Sequence, residues 1–313
     1  MTASDRAGRL FRTTVAAAGA GLRVDVYLAD EVGLANRSQL RGRLQKLQVN
    51  GAAAKLSRRL QQGDLVEAEL APPPPSRATA EPIPLVVIYE DDDVLVVDKP
   101  SGMAVHPGSG RHSGTLVNAL LHHVGSLGER FDEPLRPGIV HRLDMDTSGV
   151  MIVAKHPRAH ADLADQFRRR TVRKTYLAWV LGRPVPPIGR IDTHLARDPR
   201  HPLRFRVSSG AAPRARRAVT RYRLRATLSE RSLLLLRPLT GRTHQLRVHC
   251  SWRGLPIAGD PLYGSPQSRS AAPRLMLHAR HLRIRLPGQV EPTLFSSPPP
   301  EPFPTWRAAA EVT

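Results

Sequence analysis

Sulfur, long apolar runs and acidic side chains are all scarce in this chain, and each shortage removes a class of protein. One cysteine, Cys250, among 313 residues excludes an internal disulfide framework and any zinc site built on paired cysteines. The apolar runs, such as Leu233–Leu236, fall far short of the roughly 20 residues that a membrane span needs. Behind the three arginines near the N-terminus, Val15 to Gly21 is small and Ala/Gly-rich, without the apolar centre of a cleavable leader. No long basic amphipathic helix carries the aromatic anchors of a membrane-surface protein, and no internal repeat is present. These features together predict a cytoplasmic protein with no membrane association.

The shortage of acid is the informative one. Asp and Glu total 27 against 47 Lys and Arg, a formal charge of +20 with a sequence pI of 11.4. Such an excess repels itself and is most simply explained by a polyanionic partner. Apolar residues at 41% and charged residues at 24% are ordinary globular proportions and argue against wholesale disorder. The length suits two domains of about 150 residues each.

The four prolines Pro72–Pro75 can continue neither a helix nor an interior strand, and they read as a semi-rigid spacer. They predict a small domain over 19–71, a linker over 72–82, a body over 83–296 and a Pro-rich surface tail over 297–313. In the small domain, Val24–Ala29 reads as a first helix. Asn36-Arg37-Ser38-Gln39 offers caps to a second helix, in which Leu40, Leu44 and Leu47 recur at spacings of four and three. Asn50-Gly51 signals a turn, and Leu65–Leu70 alternates as a strand. The body reads as strand-rich, with strands at Leu85–Tyr89, Val94–Asp98, Val150–Ala154, Tyr176–Leu181, Arg221–Ala226, Leu233–Arg237 and Leu282–Leu286, and one helix from Pro157 to Arg170. The predicted class is α+β with a mostly antiparallel mixed sheet; nothing supports the βαβ alternation of a nucleotide-binding sheet.

Three polar constellations stand out. Gly138-Ile139-Val140-His141-Arg142-Leu143-Asp144-Met145-Asp146-Thr147-Ser148-Gly149 crowds acids, a base and hydroxyls before a buried strand, as a catalytic loop does; a polar turn capped by Asp would look the same. Pro238-Leu239-Thr240-Gly241-Arg242-Thr243-His244-Gln245-Leu246-Arg247-Val248-His249 breaks a strand and can wind into a helix from Arg242, with Thr243 and Arg247 one turn apart; a solvated basic helix is the plainer alternative. Lys174-Thr175-Tyr176-Leu177-Ala178-Trp179 enters a strand, where a Tyr serves a core as readily as a site.

In this order and at these spacings, the three constellations resemble the RluA-type family of RNA pseudouridine synthases. Lys99-Pro100-Ser101-Gly102 before them and Gly259-Asp260-Pro261-Leu262-Tyr263-Gly264 after them look like further motifs of that family. The resemblance spans about residues 83 to 296. The N-terminal unit resembles the small αL-type RNA-binding module of ribosomal proteins, with Arg23, Arg37 and Ser38 at its characteristic positions.

The resemblance implies isomerisation of uridine to pseudouridine in structured RNA, without cofactor or metal. The partner it implies is large-subunit ribosomal RNA more than transfer RNA, and a monomer is expected. It makes Asp144 the catalytic carboxylate, by covalent attack or as a base, and Arg247 its ion-pair partner, since an adjacent cation favours the charged form. Tyr176 becomes the aromatic that stacks on uracil and can take a proton. Arg142 fills the gap left by the flipped nucleotide, and His141 and Arg242 join the RNA contacts. Asp146, equally acidic, is given a structural role. Ten arginines and one acid between Arg197 and Arg225 are read as a phosphate-facing surface. The rival reading is a basic RNA holder without catalysis. A hydrolase using Asp144 with His141 is disfavoured, because no nucleophile elbow, metal set or second carboxylate is present.

Overall fold

The computed structural model describes residues 9–34, 37–71, 78–108, 111–131, 135–210, 212 and 214–306, and the chain divides between residues 76 and 77. The first unit is a four-stranded antiparallel sheet. Its strands β1 (Arg9–Thr14), β2 (Leu44–Val49), β3 (Ala52–Ala53) and β4 (Leu65–Leu70) lie in the order β1-β4-β2-β3. Short helical segments Val24–Val26 and Tyr27–Glu31 and a helix Arg37–Arg43 accompany it. Val24, Leu28, Leu40, Val49, Leu60 and Val66 form its core. Asn50 (φ 56°) and Gly51 (φ 77°) make the β2–β3 turn, the positive φ pair that this dipeptide favours.

Two expectations for this unit are corrected. Leu44 and Leu47 lie in β2, opposite Leu70 and Ala68 of β4, and the helix stops at Arg43. Their helical spacing is overridden by pairing with a strand that is distant in sequence, which local periodicity does not register. The unit also starts before residue 19, because β1 pairs along the whole of β4.

The second unit is built on one ten-stranded sheet. Its strands are β5 (Val86–Glu90), β6 (Val94–Lys99), β7 (Ser148–Ala154), β8 (Arg173–Leu181), β9 (Ile188–Arg197), β10 (Phe205–Ser208), β11 (Arg216–Leu228), β12 (Arg231–Pro238), β13 (Leu277–Arg285) and β14 (Pro292–Ser296). The order is β10-β9-β11-β12-β8-β13-β7-β6-β5, with β14 on β13. Among the described residues only β7 and β13 pair in parallel, so the expected α+β, mostly antiparallel sheet is what the chain forms. Every residue of β7 is buried, as its unbroken apolar run requires. The helix Leu116–His123 begins at a capping box formed by Thr115 and Asn118, and Pro157 opens the helix Pro157–Arg169 behind a His156 cap. Along β11, Arg221, Arg223 and Arg225 are exposed while Tyr222 turns inward, an alternation that puts the arginine surplus on one face.

The expected linker and tail are both shorter than predicted. Residues 72–77 lie outside the described residues, but Asn118 donates to the Thr79 carbonyl at 2.7 Å and the Glu81 N–H donates to the Asn118 carbonyl at 3.0 Å. At the other end, Phe303 is 2% exposed. Trp306 meets Trp179 edge-on at 5.7 Å, with the Arg231 guanidinium over its ring at 4.3 Å. Aromatic burial thus ties residues up to 306 into the body, where composition alone predicts a loose tail; 307–313 lie outside the described residues.

Candidate active site

Gly149 explains where the first constellation sits. Its φ is +119°, and a Cβ there would stand 2.3 Å from the Ala279 carbonyl oxygen. Only glycine lets β7 approach β13 this closely, and the approach hangs the preceding loop from the end of an interior strand. Lys99, fully buried at the end of β6, then fastens that loop. Its Nζ donates to the carbonyls of Pro100 at 2.7 Å, Met103 at 2.8 Å and Met145 at 2.9 Å. The Ser101 hydroxyl donates to the Asp146 carbonyl at 2.7 Å. With Leu143 buried beneath, Asp144 is left partly open and Arg142 exposed.

Burial pushes Lys99 down to about 7, against the pull of Asp146 and Asp144. Since the unfolded lysine holds its proton up to its ordinary value of 10.5, unfolding takes up a proton between those limits, and this group's contribution to stability rises with pH across that window. Lys99→Met is expected to lose roughly 2–4 kcal/mol by removing the amine that joins the three carbonyls, two of which it can still serve when neutral, and the gap to wild type should widen from pH 7 to pH 10. Denaturant midpoints at the two pH values check this; a midpoint equal to wild type at both would remove Lys99 from the fastening role.

The second constellation supplies the cation. The helix runs Gln245–Trp252, starting later than predicted, because His244 takes a left-handed φ of 55°. Thr243 therefore sits in the turn, exposed, and shares no helix face with Arg247, which corrects the expected pairing. Gln245 locks the start. Its amide oxygen accepts from the Thr240 hydroxyl at 2.6 Å and the Arg242 N–H at 3.0 Å, and its Nε2 donates to the Val219 carbonyl at 3.0 Å.

From this helix Arg247, 4% exposed, reaches two carboxylates. Nε and Nη2 donate to Asp260 at 2.9 and 2.7 Å, while Nη1 donates to Asp144 Oδ2 at 3.4 Å. Burial would lower the guanidinium's pKa, but Asp260 and then Asp144 raise it above its ordinary value. Asp260, 1% exposed, is held below its ordinary value despite burial by Arg247 and by the Tyr263 and Leu262 N–H groups. Gly259 makes the turn before it, with φ +71° and a space where a Cβ would fall 1.8 Å from the Arg274 carbonyl oxygen. Asp260 aims Arg247, and Arg247 meets the only one of the two acids that is open, Asp144 at 16% exposure.

Tyr176 on β8 is buried, and its hydroxyl is raised above its ordinary pKa first by burial and then by the Asp144 charge. A phenol kept neutral in this way suits a platform for a base better than a proton acceptor. His141, expected among the RNA contacts, is corrected. Its ring stacks on Phe167 at 4.6 Å, its Nε2 accepts the Ile152 N–H at 3.2 Å, and burial lowers it to about 3. It is a packed neutral ring that braces the loop. Arg242 donates to the Arg217 carbonyl at 3.1 Å and is lowered by burial and by Arg216 and Arg170, a cluster of cations suited to a phosphate. In the first unit Arg23 donates to the buried Asp25 at 2.9 and 3.2 Å. Arg37 opens the helix Arg37–Arg43 and Ser38 follows it; their side chains lie outside the described residues.

Lys99, Asp260 and Tyr263 were not among the expected site residues, although the motifs containing them are conspicuous. The available signal was physical: a buried arginine that serves a half-open acid needs a second, fully buried acid to hold it.

The RNA pseudouridylate synthase family model matches residues 93–252. Ribosomal large subunit pseudouridine synthase D of Nitrosomonas europaea is 39% identical over 292 residues, covering 90% of this chain and 82% of that protein. RNA pseudouridine synthase 2, chloroplastic, of rice (Oryza sativa subsp. japonica) is 35% identical, covering 90% and 78%. Among solved structures, human RNA pseudouridylate synthase domain containing 1 superposes with a TM-score of 0.58 at 31% identity, over 72% of this chain and 87% of that one.

Proposed function

Because the chain belongs to the RluA-type family of RNA pseudouridine synthases, and so isomerises uridine to pseudouridine in RNA, we propose that Asp144 is its catalytic carboxylate and large-subunit ribosomal RNA its substrate. The observation that carries the assignment is the 3.4 Å contact from Arg247 to Asp144 Oδ2, on a guanidinium already locked by Asp260. One carboxylate oxygen is thereby occupied and the other is free to meet the sugar. The cation is fixed beside the acid before the reaction begins.

An enzyme cannot reach a glycosidic bond inside a stack, so the target nucleotide must be extruded. Exposed Arg142, two residues before Asp144, fills the vacated space, and Tyr176 offers the flat, neutral surface on which the freed uracil turns. Arg242, with Arg216 and Arg170 close enough to depress it, grips phosphates nearby. The first unit is an αL-type RNA-binding module that adds affinity through Arg23, Arg37 and Ser38. The enzyme works as a cytoplasmic monomer. Relatives named as ribosomal large subunit pseudouridine synthases support that substrate over transfer RNA.

Mapping pseudouridines in the ribosomal and transfer RNAs of a deletion strain tests the substrate. Sites should vanish from large-subunit RNA and return with the wild-type gene but not with Asp144→Asn. Loss confined to transfer RNA would overturn the substrate assignment.

A further inference from the structure

His244 is clamped so that its two ring nitrogens are chemically distinct. Nδ1 lies 2.8 Å from the Tyr263 hydroxyl, and that hydroxyl already accepts the Phe205 backbone N–H at 2.8 Å. We assign the hydroxyl's own hydrogen to Nδ1, the acceptor 2.8 Å away. An imidazole that accepts at Nδ1 carries its hydrogen on Nε2 when neutral. Nε2 faces Asp144 Oδ1 at 4.0 Å, the carboxylate oxygen that Arg247 leaves unoccupied.

The ring is packed edge-on against Tyr263 at 5.5 Å and Phe205 at 5.9 Å, and its backbone holds the uncommon left-handed φ of 55°. Asp144 and Arg142 face it from one loop, Arg247 from its own helix, and Asp260 and Tyr263 from the loop beyond. Burial, with Arg247 and Arg142 assisting and Asp144 and Asp260 opposing, holds the imidazole below its ordinary pKa.

We propose that His244, as a neutral Nε2–H donor, hydrogen-bonds the uracil ring while the glycosidic bond breaks, which makes it a catalytic residue beside Asp144. The inference rests on Asp144 being the reacting carboxylate. If Oδ1 meets the sugar, the departing base lies next to Oδ1, within reach of Nε2. When the C1′–N1 bond breaks, its electron pair stays on N1, giving a uracil anion whose charge spreads to O2 and O4. C1′ accepts an electron pair from Oδ1, or the sugar gives its 2′ proton to Oδ1. His244 keeps its own hydrogen throughout this step. A neutral donor stabilises that anion without protonating it, and the base must stay anionic if its C5 is to attack C1′. An imidazolium would quench it.

The test combines single-turnover tritium release from 5-tritiated uridine in large-subunit RNA with RNA affinity and ¹⁵N spectra of the His244 ring. His244→Phe should slow release by about 10²–10³, the scale for losing one preorganised donor, with RNA affinity unchanged. His244→Gln, whose amide can donate from a similar position, should restore much of the rate. Tyr263→Phe should slow release at unchanged affinity and turn the Nε2–H signal into a tautomer mixture. Release at the wild-type rate by His244→Phe overturns the proposal. Should that variant misfold, wild-type release by Tyr263→Phe with the tautomer lost does so instead. Asp144→Asn, run alongside, separates the two readings: an inactive Asp144→Asn beside a fully active His244→Phe removes only the role of His244, whereas an active Asp144→Asn removes the site assignment itself.

Discussion

Asp144→Asn is expected to bind RNA as tightly as the wild-type enzyme and to release tritium from 5-tritiated uridine at least about 10⁴-fold more slowly, the scale of removing an essential catalytic group. The amide nearly matches the carboxylate in shape, so Leu143 stays packed and the Met145 carbonyl stays on Lys99. What disappears is the charge. An amide can neither offer an electron pair to C1′ nor hold a sugar proton, and the Arg247 guanidinium loses its second anion. RNA affinity should survive because it rests on phosphate contacts made by cations elsewhere. Filter binding together with single-turnover release separates the two effects; parallel loss of both would mean that the residue serves binding.

Arg247→Met is expected to fail in two separable ways. Turnover should fall by about 10²–10³, because the acid loses its fixed cation. Stability should fall as well, by about 3–5 kcal/mol, because Asp260 at 1% exposure is left as a buried anion without its partner. The double variant Arg247→Met/Asp260→Asn removes the stranded charge and keeps an acceptor for the Leu262 and Tyr263 N–H groups. It should recover most of the stability and none of the activity. Recovery of turnover in the double variant would show that Arg247 serves only the fold, not the reaction.

The polar runs were legible because chemistry crowds them: no ordinary turn needs His, Arg, two acids and two hydroxyls within eight residues of a buried strand. The ends of β6, β7 and the helix Pro157–Arg169 were legible for a different reason, since each carries its own period or cap. Leu44 and Leu47 misled because their spacing is local and their pairing with β4 is not. β1 and the extension of β11 to Arg216 were missed because neither segment alternates cleanly; the arginines of β11 face outward in numbers that mimic a loop. His141 misled by position, lying beside Arg142 in the chain while its ring turns away onto Phe167. Asp260 escaped because its importance lies wholly in a contact across 13 residues to Arg247, which no spacing rule announces. The motif glycines make sense only in three dimensions, where Gly149 and Gly259 each face a carbonyl oxygen at a distance no Cβ tolerates.

Two acids share the loop, and only one of them is claimed to react. Asp146 stands two residues from Asp144, felt by Lys99 and Arg274, its backbone tied to Ser101. The most direct measurement is therefore a pair of tritium-release time courses, Asp144→Asn against Asp146→Asn, at saturating enzyme on one RNA. The predicted outcome is near-normal release by Asp146→Asn and none above background by Asp144→Asn. Wild-type release by Asp144→Asn, or equal silence from both, would contradict the selection of one carboxylate by Arg247.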